Sequence, residues 1–200
     1  MPKAEAIIKR GFDITIAVLL LIVLAPVFVA IILAVRMTSS GGAFFRQQRV
    51  GQNGELFWLY KFRSMRANTG GIAITADSDP RITSIGKLLR QSKLDELPQL
   101  WNVFKGEMSL VAPRPEVARY VAHYTDEQRK VLCVRPGITG AAQLEYRVEE
   151  KVLAGRNDVE AFYIHNVMPA KLAIDLRYVH ERSFWSDIRI LFHTLRAIAK

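Results

Sequence analysis

The chain has 200 residues, a length that fits one domain of ordinary size or one domain with an appendage. Hydrophobic residues make up 50% and the mean hydropathy is +0.10, which excludes an intrinsically disordered chain. The 28 Lys and Arg residues outnumber the 19 Asp and Glu residues, and the net charge of +9 favours nucleic acid, anionic lipid or phosphorylated substrates as partners. The single cysteine permits no intrachain disulfide, and the four histidines lack the spacing of a zinc site.

An apolar segment over residues 14–35 dominates the N-terminal part of the chain. Its 22 residues carry no charge, and a helix of that length can cross the ~30 Å hydrocarbon core of a bilayer. A signal peptide usually has a shorter apolar region, and a helix buried in a soluble domain is not apolar on every face. We therefore expect a membrane-associated region over residues 1–40, followed by a second domain over residues 41–200.

Pro26 lies near the middle of this segment and makes two topologies possible. Proline lacks an N–H group and clashes with the carbonyl of Ile22, so we expect a kink. Basic residues, which favour the cytoplasm, flank the segment on both sides: Lys3, Lys9, Arg10, Arg36, Arg46 and Arg49. A re-entrant segment would place both flanks in the cytoplasm, whereas a spanning helix with a tolerated proline would place only one there. Both topologies stay open, and Asp13 is expected at the membrane interface.

The remaining sequence predicts an α+β fold that is mostly helical. Residues 44–50 and 56–62 are rich in aromatic and β-branched residues and flank a Gly-Gln-Asn-Gly turn, which is typical of a β-hairpin. Residues 185–198 predict a basic amphipathic helix, which either lies in a membrane interface or packs on the domain core. Further helices and proline-bounded loops are expected from the spacing of apolar residues and prolines. The helices cover 85–90, 94–104 and 116–131, and the loops cover 111–115 and 135–137.

Two adjacent carboxylates, Asp95 and Glu96, are candidates for catalysis. Neighbours on a helix diverge by about 100°, so the two could contact different sides of one phosphate. One could attack phosphorus while the other holds a divalent cation, and Mg²⁺ is suited to one or two carboxylates plus phosphate oxygens. Taken alone, the pair is better explained as a helix start, because Ser92 and Asp95 have capping-box spacing and acidic residues in a first turn favour the helix dipole.

Other charged residues are candidates for binding a phosphorylated or nucleotide ligand. Asp77 and Asp79 form a DxD tripeptide, which in some glycosyltransferases binds a metal–nucleotide pair but which before Pro80 is also ordinary turn chemistry. Arg114 lies between two prolines and Arg135 precedes Pro-Gly, and arginines on such stiff backbone suit bidentate phosphate binding. Further basic candidates are Lys61, Arg63 and Arg90.

Several longer motifs occur in a fixed order from about residue 9 to residue 194. They comprise 9–13 (Lys-Arg-Gly-Phe-Asp), 45–51 (Phe-Arg-Gln-Gln-Arg-Val-Gly), 60–65 (Tyr-Lys-Phe-Arg-Ser-Met), 85–90 (Ile-Gly-Lys-Leu-Leu-Arg), 94–102 (Leu-Asp-Glu-Leu-Pro-Gln-Leu-Trp-Asn), 106–115 (Gly-Glu-Met-Ser-Leu-Val-Ala-Pro-Arg-Pro) and 134–140 (Val-Arg-Pro-Gly-Ile-Thr-Gly). With these motifs the chain resembles bacterial sugar transferases of the small monotopic phosphoglycosyl transferase kind.

The resemblance implies an activity at a membrane. Such enzymes move a sugar 1-phosphate from a UDP-sugar to a polyprenyl phosphate, usually undecaprenyl phosphate, and release UMP. This step begins the synthesis of O-antigen, capsule, exopolysaccharide or glycoprotein glycans. The implied location is the cytoplasmic face of the bacterial inner membrane, with a re-entrant N-terminal helix broken at Ala25-Pro26 and a cytoplasmic catalytic domain that carries interfacial amphipathic helices.

The resemblance also implies roles for individual residues. Asp95 is the expected nucleophile, Glu96 is expected to help hold Mg²⁺, and Arg114 is expected beside the substrate phosphates. Of the two acids near the C-terminus, Asp187 is preferred over Asp175 as a functional residue. Residues 141–151 and Ala112 depart from the family pattern, so the sugar is left open.

Three other functions are compatible with parts of the sequence. The charge suggests a membrane-tethered nucleic-acid-binding protein with steep salt dependence, but no nucleic-acid-binding motif occurs and nucleic acid is not expected as a partner. A glycosyltransferase that uses Asp77 and Asp79 would release a nucleoside diphosphate instead of UMP. A non-enzymatic scaffold of a glycan-assembly complex would form no product. Homo-oligomerisation is left open.

Overall fold

The computed structural model describes residues 1–39, 41–66, 80–147, 152–153 and 158–198. Asp77, Asp79 and residues 148–151 of the divergent segment lie outside these residues. The described fold is mostly helical with two small sheets, which confirms the α+β class. In chain order the elements are α1 (Lys3–Val23), α2 (Ala25–Thr38), β1 (Phe44–Val50), β2 (Leu56–Phe62), α3 (Ser84–Gln91), α4 (Gln99–Lys105), β3 (Ser109–Val111), α5 (Ala118–Val121), β4 (Gly137–Thr139), α6 (Ala141–Glu145), α7 (Val159–Phe162), α8 (Met168–Glu181) and α9 (Phe184–Ile198).

The apolar N-terminal segment forms two helices that meet at Leu24 with a bend of 62°. Pro26 lies in the first turn of α2, where its missing N–H group costs no hydrogen bond. The Leu24 N–H donates to Leu20 O over 2.9 Å, and Leu24 O in turn accepts from Phe28 N–H over 2.9 Å. The expected kink is confirmed. Among the described helices none is individually long and apolar enough to cross a membrane, whereas this bent pair together meets that criterion of length and composition.

Strands β1 and β2 form the expected antiparallel hairpin, with Phe44 opposite Phe62 and Val50 opposite Leu56. In the turn, Asn53 has φ 57° and Gly54 has φ 84°, a left-handed backbone that Asn and Gly adopt most readily. Side chains alternate along a strand, so Phe57, Leu59 and Lys61 share one face. Phe57 and Leu59 are buried in the main core on this face.

Strands β3 and β4 form a small parallel sheet that the sequence did not predict. Ser109 lies opposite Gly137 and Val111 opposite Thr139. The loops expected over 111–115 and 135–137 are therefore wrong at Val111 and Gly137. Each strand has three residues, which is too short for an alternating pattern to be recognised, and the pairing joins segments far apart in the chain.

Two of the helices expected in the middle of the chain are wrong. Residues 94–104 form a 3₁₀ turn (Leu94–Glu96) and then α4, because Pro98 cannot donate a backbone hydrogen bond and the helix begins anew after it. Residues 116–131 contain only the short helix α5 and the beginning of the 3₁₀ turn Gln128–Cys133.

Helix α4 buries a polar side chain and leaves two of its aromatic side chains partly exposed. Trp101 and Phe104 are 48% and 43% exposed, whereas Asn102 is fully buried. Asn102 donates from Nδ2 to Trp58 O over 2.7 Å and accepts from Tyr60 N–H over 3.1 Å. These hydrogen bonds join α4 to the edge of β2, which explains why a polar side chain faces inward.

Helix α9 confirms the amphipathic helix expected at the C-terminus. Ile190 and Leu191 pack against the main core. Trp185, Phe192 and Leu195 are 75%, 62% and 66% exposed, so much of the apolar stripe remains outside the protein core.

A buried polar network fixes α1 to the rest of the protein. Lys9 Nζ lies 2.5 Å from Asp187 Oδ2 and donates to Val111 O over 3.2 Å. Tyr178 donates its hydroxyl to Asp187 Oδ1 over 2.6 Å, and Ser109 donates to Asp13 Oδ2 over 2.7 Å. Asp13, which the sequence placed at the membrane interface, is thus buried within the protein at 2% exposure.

This network predicts a large effect of Lys9 on stability. Lys9→Met removes one member of a buried ion pair and leaves Asp187 without its cation, which typically costs about 3 kcal/mol or more. We expect a clear fall in the thermal unfolding midpoint of the detergent-solubilised protein. Lys3→Met, at an exposed position of the same helix, is the matched control. Equal midpoints for the two variants would show that the Lys9 pair adds no stability.

Candidate active site

The Asp95–Glu96 pair lies on a short 3₁₀ turn whose position is set by its neighbours. Helix α3 begins at Thr83, whose hydroxyl accepts from Gly86 N–H over 2.9 Å, and α3 packs tightly against the residues after β2. A Cβ on Gly86 would lie 1.9 Å from Ser64 O, so only glycine permits this approach. After α3, Lys93 adopts φ 57° and redirects the chain into Leu94–Glu96.

The structure replaces the capping-box interpretation of this turn. Ser92 donates its hydroxyl to Leu88 O over 2.8 Å, within the last turn of α3, and Lys93 is the residue that precedes Leu94–Glu96. The two carboxylates therefore do not serve a cap formed by Ser92. Asp95 is buried at 6% exposure, and Glu96 points towards the inner face of β2.

Glu96 is held by two cationic side chains. Arg114 donates from Nη2 to Glu96 Oε1 over 2.6 Å and from Nη1 to Oε2 over 3.0 Å, in a bidentate pair. Lys61 Nζ donates to Oε1 over 3.2 Å. Burial alone would raise the pKa of Glu96, but Arg114 and Lys61 hold it well below its usual range. Two cations around one carboxylate leave local positive charge, which suits a phosphorylated ligand.

Asp95 differs from its neighbour because one of its oxygens has no partner. Oδ1 is buried and makes no hydrogen bond within the described part of the chain. Burial raises the pKa of Asp95, against the lowering effect of Lys61. A buried acceptor without a partner is unfavourable, so such a group commonly marks a functional position.

Arg114 is held in place by residues that the sequence did not assign to the site. Arg49 donates from Nη1 to Pro115 O over 3.2 Å and to Glu116 Oε1 over 2.9 Å. Tyr163 donates its hydroxyl to Glu116 Oε2 over 2.6 Å. Arg49 was counted only as a basic residue flanking the membrane segment. Its place in the 45–51 motif was the one signal in the sequence that set it apart.

The other predicted binding residues are distributed unevenly around this cluster. Arg90 is close enough to Asp95 to lower the pKa of that carboxyl. Arg63 donates to Gly42 O over 2.7 Å, Arg135 donates to Gly106 O over 2.9 Å, and Asp187 belongs to the Lys9 network. The structure thus brings Lys61 and Arg114 to the carboxylates. Arg63, Arg135 and Asp187 contact other parts of the fold.

Of the two carboxylates, Asp95 is the one with an oxygen available to a cation that is shared with a ligand. Mg²⁺ commonly binds one or two carboxylates together with substrate phosphate oxygens, and Asp95 Oδ1 is an acceptor without a partner. Both Glu96 oxygens already accept from Arg114, so a cation at Glu96 would compete with the guanidinium. Over the residues that the structure describes, no group of three or more His, Cys, Asp or Glu side chains forms a closed metal site.

A cavity adjoins the cluster on the side of Arg114. Its wall includes Arg114 together with side chains from α6 and α8, among them Gln143 and Asp175. Burial raises the pKa of Asp175 to about 7. The candidate site therefore consists of a charged centre at Glu96 and a neighbouring, more enclosed space.

Comparison with known proteins places this sequence in a family. The family model for bacterial sugar transferases matches residues 4–200. A galactosyl transferase of Streptococcus agalactiae is 38% identical over 98% of this chain and 43% of its own length. The UDP-glucose:undecaprenyl-phosphate glucose-1-phosphate transferase of Escherichia coli is 39% identical over 94% of this chain and 39% of its own length.

A shorter relative is matched over most of its length. An exopolysaccharide production protein of Sinorhizobium fredii is 35% identical over 95% of this chain and 84% of its own length. By contrast, the chain spans less than half the length of the Streptococcus agalactiae and Escherichia coli relatives. The match of the family model over nearly the whole sequence shows that this chain belongs to the bacterial sugar transferase family.

Proposed function

We propose that this chain transfers a sugar 1-phosphate from a UDP-sugar to a polyprenyl phosphate, such as undecaprenyl phosphate, and releases UMP. The observation that carries the proposal is the pairing of Glu96 with Arg114 and Lys61 beside the partnerless oxygen of Asp95. The Escherichia coli relative is named for a transfer of this type. Because relatives are named for glucose and for galactose, the sugar is left unspecified.

Asp95 is the proposed nucleophile. One of its carboxylate oxygens attacks the phosphorus that bears the sugar, and the bond from that phosphorus to the bridging oxygen breaks, so UMP leaves with the electron pair. A phosphate oxygen of the lipid then attacks the same phosphorus and restores the Asp95 carboxylate. The soluble donor and the lipid acceptor therefore need not occupy the site together.

The surrounding charges support this chemistry. A diphosphate that approaches a carboxylate brings like charges together, and Arg114 and Lys61 provide positive charge at that position. Glu96 is the proposed ligand of Mg²⁺, which neutralises charge on the diphosphate when bound. Burial raises the pKa of Asp95, and the positive charge of Lys61 opposes that effect and favours the ionised carboxylate that the attack requires.

The bent pair of helices α1 and α2 is proposed to form a re-entrant segment at the cytoplasmic face of the bacterial inner membrane. The 62° bend between α1 and α2 and the basic residues on both flanks support this topology. The exposed apolar side chains of α9 support contact with a lipid surface, where they would be removed from water. On this proposal residues 1–40 are membrane-associated and residues 41–200 form the cytoplasmic catalytic domain.

Asp95 should become covalently modified in the absence of the lipid acceptor. We expect the intact mass to rise by one sugar phosphate when the protein is mixed with Mg²⁺ and members of a UDP-sugar panel, with the adduct on the peptide that contains Asp95. Asp95→Asn removes the nucleophilic charge and should abolish both adduct and turnover. Asp126→Asn, at an exposed position, should behave as the unmodified protein. Full turnover by Asp95→Asn would exclude Asp95 as the nucleophile.

The negative charge of Glu96 should be required for turnover. Glu96→Gln keeps the shape of the side chain but removes the charge, and we expect turnover to fall by about a hundredfold or more. The Mg²⁺ concentration needed for half-maximal activity should rise in parallel. Glu55→Gln, at an exposed position of the hairpin, is the control. Near-normal activity and Mg²⁺ dependence in Glu96→Gln would remove Glu96 from the proposed metal site.

The topology can be tested by labelling of single cysteines in a Cys133→Ser background. Cysteines at Pro2 and at Ser39 should both be protected from a membrane-impermeant reagent in intact cells and should both react after lysis. Replacement of Pro26 by Leu should straighten the segment and expose position 2 to the periplasm in part of the population. Labelling at position 2 in intact cells, with Pro26 present, would indicate a spanning helix.

A further inference from the structure

The cavity beside Arg114 contains polar groups that the proposed chemistry does not use. Arg114 belongs both to this cavity and to the pair with Glu96, so the two spaces meet at its guanidinium. The remaining wall is largely apolar or aromatic and includes Tyr124, Tyr163 and Leu172. Tyr163 is held through its hydroxyl by Glu116, which fixes the position of its ring.

Two side chains in this wall have buried polar atoms without partners. Both amide atoms of Gln143, Oε1 and Nε2, are buried and make no hydrogen bond to any residue that the structure describes. Asp175 is 6% exposed, and its Oδ1 is likewise unpaired. Unpaired polar groups are unfavourable in a protein interior. Their convergence on one cavity indicates that a ligand completes their hydrogen bonds.

The shape and chemistry of the wall favour a nucleobase over a sugar. A pyranose carries hydroxyls around its whole rim and needs many polar partners there. A pyrimidine base has two flat apolar faces and one polar edge, which an apolar and aromatic wall with a few polar groups can satisfy. The Gln143 carboxamide offers a donor beside an acceptor, and the imide edge of uracil offers the complementary pair.

We infer that this cavity binds the nucleoside end of the donor, with Gln143 pairing with the uracil edge and Asp175 accepting a hydrogen bond from a ribose hydroxyl. The inference rests on the proposed function, since it takes a UDP-sugar as the donor. A diphosphate at Arg114 would then have its sugar-bearing phosphorus towards Asp95 and its nucleoside in the cavity.

Equilibrium binding of pyrophosphate, UDP and UDP-glucose to the Asp95→Asn protein, which cannot consume a donor, tests in the presence of Mg²⁺ which part of the donor the cavity holds. Gln143→Leu removes the amide and keeps a similar volume. We expect this variant to weaken the binding of UDP and of UDP-glucose by the same factor, about tenfold or more. Its affinity for pyrophosphate should be unchanged. Gln48→Leu, at an exposed position of β1, should change none of the three affinities. Asp175→Asn should weaken UDP binding without changing pyrophosphate binding.

The remaining outcomes would overturn the inference in distinguishable ways. Weaker binding of UDP-glucose with unchanged binding of UDP would assign the cavity to the sugar. Unchanged UDP affinity in both Gln143→Leu and Asp175→Asn, in a protein that releases UMP from a UDP-sugar, would remove this inference and leave the proposed function intact. No binding of UDP by the unmodified protein would remove both.

Discussion

The pairing of Glu96 with Arg114 and Lys61 is the interaction on which the candidate site depends. It joins three segments that are distant in the chain: the inner face of β2, the 3₁₀ turn after α3 and the proline-bounded loop after β3. A buried charge without a partner is costly. The three segments must therefore adopt their positions together, and the local positive charge that results is the feature that best suits a diphosphate.

The hydrogen bonds that hold this centre are linked to the part of the chain that is proposed to contact the membrane. Asn102 joins α4 to β2 beside Lys61, and Arg49 and Tyr163 hold the loop that carries Arg114. Lys9 binds both Asp187 and the backbone of β3 at Val111, three residues before Arg114. Contiguous buried contacts thus connect α1 to the segment that positions Arg114.

The sequence predicted the features that depend on neighbouring residues and missed those that depend on distant ones. The hairpin, the kink near Pro26, α3 and α9 follow from local turns, proline chemistry and periodicity. The helix expected over 116–131 failed because that stretch is held by contacts made at Glu116 and by a cluster around Tyr120 rather than by its own periodicity. The sequence motifs identified Asp95, Glu96 and Arg114 as candidate site residues. Gln143 and Asp175 line the same cavity because α6 packs against α8. No spacing of residues in the sequence predicts that packing.

The most direct test of a covalent route is the amount of UMP released before any lipid acceptor is present. With the correct UDP-sugar and Mg²⁺, rapid mixing should give a burst of about one UMP per active site, because Asp95 can accept the phosphosugar once and is freed only by the lipid phosphate. Release of UMP only after addition of polyprenyl phosphate, with no burst at the shortest times, would contradict the account and favour direct transfer between two bound substrates.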